Sequence, residues 1–160
     1  MNAILQMVAE YLRSKEFQID SDDSHITFIM DVSNGTLRIR IDTNPAEQLL
    51  TVISVLPVFV PKPRREALAV FLAGVNFGCR LGSIHFNLDS GLVLYCVSVP
   101  VVGLAENPGA SLDPLVALAV ENTNKLLPKL CAQAFGQETI NEPAGILIPS
   151  DAERDRRRWN

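Results

Sequence analysis

Asp22, Asp23, Ser24 and His25 place carboxylate, hydroxyl and imidazole within four consecutive positions, the residue types of an acyl-transfer site. That chemistry needs the imidazole held between the other two groups by separate elements converging on one point. Neighbours in a Ser-Asp-Asp-Ser stretch read instead as a turn. His85, Asn87 and Asp89 alternate along an apolar run and would project from one side of a strand, but one imidazole and one carboxylate make a poor metal set. Cys79, Cys96 and Cys131 are odd in number and widely spaced, which predicts buried thiols and neither a disulfide framework nor a zinc site. Gly74, Gly78 and Gly82 do not join a strand to the start of a helix, so they form no phosphate loop. Arg64 and Arg65 open a helix, where its free N–H groups would help them attract an acidic ligand. Solvated charge is the simpler reading. The sequence therefore predicts no catalytic, cofactor-binding or metal-binding residues and a chain that is not an enzyme.

The elements that carry these residues follow from hydrophobic period. Ile4, Leu5, Val8, Tyr11 and Leu12 recur at helical spacing over residues 2–14. From Ile26 the period becomes two. Asn34-Gly35 predicts a type I′ hairpin turn pairing Val32 with Leu37, Met30 with Ile39, Phe28 with Ile41 and Asp31 with Arg38. Residues 49–56 read as a strand apolar on both sides, ended by Pro57. Pro63 then opens a helix whose Leu68, Phe71, Leu72 and Val75 form a buried stripe, with Gly78 as its cap. A second hairpin turns at Asp89-Ser90-Gly91, its return strand 92–99 again apolar on both sides. A last helix is entered through Asp113 and Pro114, is kinked by Pro128 and ends by Gly136. The order is α-β-β-β-α-β-β-α, an α+β fold with an antiparallel sheet packed by helices. One domain over residues 1–136 is expected, with a C-terminal extension over 137–160.

Composition narrows the function further. The 160 residues carry a formal net charge of −4, which gives no general attraction for phosphate backbones and argues against nucleic acid. No run approaches the ~20 apolar residues of a membrane helix, and the first residues lack the basic start of a signal peptide, so no membrane and a cytoplasmic location are expected. Trp159, the single Trp, stands beside Arg156, Arg157 and Arg158, the residue types of an interface anchor.

The hairpin Ser83-Ile84-His85-Phe86-Asn87-Leu88-Asp89-Ser90-Gly91-Leu92-Val93, the pair Val75-Asn76 and the run Leu127-Pro128-Lys129-Leu130 stand at corresponding places in a known family. Over about residues 4–135 the chain resembles the YbjN-like family, whose fold is that of the type III secretion chaperones. The resemblance implies a small, acidic, cytoplasmic bacterial protein, often dimeric, that binds other proteins; members are labelled sensory transduction regulators. It implies no catalytic residues.

Two strands apolar on both faces have more surface than the chain's own helices cover, so a second subunit or a client should cover the rest. A non-enzymatic, chaperone-like homodimer is expected, with Val52, Val55, Val93, Tyr95, Val97 and Trp159 at its interface and a client or effector protein as partner. The alternative is a sensory module binding a small apolar or anionic ligand between helix and sheet.

Overall fold

The computed structural model describes residues 3–44, 46, 48–102, 104 and 106–136. Its elements are α1 (Ala3–Ser14), β1 (Ile19–Ser21), β2 (His25–Val32), β3 (Gly35–Asn44), β4 (Leu49–Phe59), α2 (Arg65–Gly78), β5 (Ser83–Phe86), β6 (Leu92–Pro100) and α3 (Pro108–Phe135). The strands form one antiparallel sheet in the order β1-β2-β3-β4-β6-β5. The fold is α+β, as the periodicity predicts, with β1 as an added edge strand too short to show a period.

All three helices pack on one face of the sheet. Ile26 and Phe28 of β2, Leu37, Ile39 and Ile41 of β3, Leu50 and Val52 of β4, and Val93, Tyr95 and Val97 of β6 are buried there. Leu5, Val8, Leu12, Leu68, Leu72, Leu112, Leu126 and Leu130 meet them from the helices. Each strand contributes alternate residues, because successive side chains point to opposite sides.

The first hairpin has the expected faces and a different register. Val32 pairs with Gly35 and Phe28 with Ile39, so the loop is Ser33-Asn34 and every pair slips by two residues from the expected one. An even slip keeps each side chain on its face. The reason is tertiary: Asn124 of α3 accepts from the Asn34 backbone N–H at 3.1 Å, and its own carbonyl accepts from the Asn34 side chain at 2.9 Å. Asn34 thus stays out of the left-handed region, while Gly35 takes φ +147° within the strand.

Three further boundaries differ. β4 runs through Pro57, which lies where the β4–β6 register shifts between Val55 and Phe59, so its missing N–H breaks no regular ladder. α3 begins at Pro108 with Asn107 as cap, its side chain accepting from the Ala110 N–H at 3.1 Å, leaving Asp113-Pro114 inside the helix. Both Asn-Pro and Asp-Pro are start signals; Asp113 is used elsewhere, accepting the Tyr11 hydroxyl at 2.7 Å and joining α3 to α1. Gly78 is the last residue of α2, and Cys79 beyond it is extended, so no left-handed glycine cap forms.

Candidate interaction surfaces

The polar groups weighed for chemistry are all engaged in local structure. Asp22 Oδ1 accepts from the Ser24 N–H at 2.7 Å, the Ser24 hydroxyl at 2.8 Å and the His25 N–H at 2.9 Å. Those hydrogen bonds, the Ser24 N–H first, hold its carboxyl down at about 2. Ser24 Oγ and Asp22 Oδ1 both lie on the Nδ1 side of His25, at 2.9 and 3.1 Å, so the imidazole stands between neither pair and relays no proton. The group is a turn, as its spacing implies.

The row His85, Asn87, Asp89 dissolves because β5 ends at Phe86. Asn87 Oδ1 instead accepts the N–H groups of Asp89 and Ser90, building the β5–β6 turn, and His85 Nε2 sits 2.8 Å from Ser83 Oγ. Neither arginine at the start of α2 is a free cation. Arg65 donates to the carbonyls of Val60 at 2.9 Å, Leu88 at 2.9 Å and Ser90 at 3.1 Å, and also to that of Asp89. Arg64 donates to the carbonyl of Gly136. The three cysteines are unpaired, and burial raises the Cys96 thiol to about 11, so it stays protonated and weakly nucleophilic near neutral pH. No cluster of metal-binding side chains occurs among the described residues. No helix among the described residues is long and apolar enough to cross a membrane.

Four of the residues expected at an interface lie in the core of the single chain. Val52, Val93, Tyr95 and Val97 are on the helix-covered face, and only Val55 is on the open one. The period of two separates the faces of an all-apolar strand without saying which face the helices take. Tyr95 is a structural knot: its hydroxyl donates to the Leu81 carbonyl at 2.6 Å and accepts from Asn122 of α3 at 2.8 Å. Gly82, at φ +75°, permits that approach, since a Cβ there would stand 2.5 Å from the hydroxyl. Trp159 lies outside the described residues.

The open face of the sheet is mixed in character. Asp20, Thr27, Arg40, Ile53 and Cys96 form one row across the strands, and Ile29, Arg38, Val55, Leu94 and His85 form the next. Arg40 is paired with Asp42 at 2.6 Å. A groove of about 850 Å³ runs under the α1–β1 loop, lined by acidic Glu16 and Asp20 and by His25, Arg38 and Arg40. A smaller one of about 300 Å³ adjoins it where β4 is irregular, walled by Ile29, Val55, Leu56, Pro57 and Phe59 with Thr36 and Arg38 of β3 between them. Ile29 and Phe59 are 62% and 67% exposed.

A second apolar surface lies on the outside of α2. Opposite its buried stripe, Ala67, Val70, Ala73 and Phe77 face outward, with Val70 74% and Phe77 85% exposed. The signal was present in the sequence: 67–75 contains no polar residue, and a helix apolar all round is one covered on both sides. The edge of the sheet beside α2 is capped at Ile84. Asn76 donates to the Ile84 carbonyl at 2.8 Å and accepts its N–H at 2.7 Å, taking the hydrogen bonds a further strand would use.

Comparison with known proteins gives limited likeness. No protein-family model matches the chain, and no curated protein does. Among solved structures, one described as the HopA1-SchA chaperone-effector complex contains a chain similar to this one, with 22% identity and a TM-score of 0.48. The match covers 74% of this chain and 88% of that one.

Proposed function

We propose that this chain is a non-enzymatic binding protein that pairs with a second copy of itself through the outer face of α2 and takes a client or effector protein on the open face of its sheet. The observation that carries the reading is the stripe Ala67, Val70, Ala73 and Phe77, an apolar helix face that the fold leaves in water. Small residues between Val70 and Phe77 let two such helices approach closely, and an isologous contact meets the requirement that one patch complement itself. Val55, on the open face, belongs to the client surface. The three free thiols fit a reducing, cytoplasmic compartment.

The YbjN-like resemblance supports a regulatory role exercised by binding. Two of its matching positions are in contact, since Asn76 ties α2 to Ile84 of the hairpin. The alternative, a sensor of a small apolar or anionic ligand, has less support: the described grooves lie on the open face instead of between helix and sheet, and the larger mixes both signs of charge.

Sedimentation equilibrium at micromolar concentration is the test. A dimer is expected, and Phe77→Asp should raise its dissociation constant ~100-fold or more, because a buried phenylalanine contributes about 1.5–3 kcal/mol per copy. A wild-type monomer throughout that range would sink the pairing.

A further inference from the structure

We propose that residues 144–151 of this same chain dock in the smaller groove of the open face, making the C-terminal extension an internal occupant of the client surface. The contact is independent of pairing through α2.

Three observations converge on it. The groove at Ile29, Val55, Pro57 and Phe59 is apolar and exposed, and it sits at the end of β4. The extension starts within reach of that end: Arg64, five residues beyond Phe59, donates to the carbonyl of Gly136, the last described residue. Residues 137–146 reach at most ~35 Å when extended, ample to pass round the end of one sheet.

The segment's chemistry matches the groove. Ile146-Leu147-Ile148 is an apolar patch within the extension, set between Pro143 and Pro149. Extended, it would present Ile146 and Ile148 on one side at the period of a strand. Asp151 ends the segment, and the adjoining cation is Arg38, whose guanidinium has no ion pair among the described residues. The pairing is therefore apolar along the walls of the groove and charge-complementary at Arg38 between them. A client using this groove must displace the segment.

The experiment places p-benzoylphenylalanine at exposed Phe59 in the full chain and maps the photo-cross-links in a mixture of 14N- and 15N-labelled protein. The expected product joins position 59 to 144–151 within one isotope. Ile146→Asp with Ile148→Asp should lower its yield more than about ten-fold, and Arg38→Ala about two- to five-fold. Cross-links joining the two isotopes, no cross-link to the segment, or a yield unmoved by the double variant would each overturn the proposal. Hydrogen exchange on the unsubstituted chain is the second readout: protection of amides 144–148, lost in the double variant, is expected, and unprotected amides refute the contact.

Discussion

The two faces of the sheet are made by the same strands and do opposite work. On the covered face β2, β3, β4 and β6 present residues such as Ile26, Ile39, Val52 and Val97, all sealed from water. On the open face the row Ile29, Arg38, Val55, Leu94 and His85 mixes apolar with polar side chains. Stability is concentrated in the first set, and the second is free to vary in chemistry while the fold stays intact. The same division is repeated within α2, whose inner stripe holds the core and whose outer stripe stays exposed.

The sharpest way to break this comparison is to remove equal volumes from each face. Ile41→Ala should cost about 2–5 kcal/mol in denaturant unfolding, the range for a buried aliphatic side chain, whereas Ile29→Ala should cost less than about 1 kcal/mol. Comparable losses would show that the open face is covered within the single chain. Next in size, Tyr95→Phe removes a hydroxyl bonded to Leu81 and Asn122 and should cost about 1–3 kcal/mol by leaving them unpaired. Asn76→Ala should cost about 1–2 kcal/mol, with faster hydrogen exchange at the Ile84 amide.

The smallest effects are in pH. The Asp22 carboxyl, at about 2 against an ordinary 3.8, contributes stability that is present above pH 3.8 and is lost as pH falls through about 2. Cys96 runs the other way. Its thiol is raised by burial from 9.0 to about 11, so its contribution is intact below pH 9 and is lost as pH rises through about 11. Urea midpoints across both windows, compared with Asp22→Asn and Cys96→Ser, test the two directions; a Cys96→Ser profile that falls above pH 9 as steeply as the unsubstituted chain's would exclude the thiol as the cause.

Local pattern made much of this legible and long-range contact hid the rest. The stripes of α1 and α2 and the two hairpins follow from periods of 3.6 and two, because each face must be apolar to bury itself. The register of β2 and β3 did not follow, because Asn124, some ninety residues away, outbids the turn preference of Asn34-Gly35. The start of α3 was ambiguous for a similar reason, with Tyr11 deciding the role of Asp113. Strands apolar on both sides carry no label for inside and outside, so Val52, Val93, Tyr95 and Val97 looked like a contact surface and are core. What sequence reading passed over, Val70 and Phe77 on α2, was visible as a helix with no polar side from 67 to 75.

The Asn76 carboxamide has a consequence for assembly. By occupying the outward N–H and C=O of Ile84 it takes one of the residues at which a further strand would pair with the four-residue edge strand β5. A strand arriving on that side must first displace the carboxamide, so polymerisation through strand edges is hindered there.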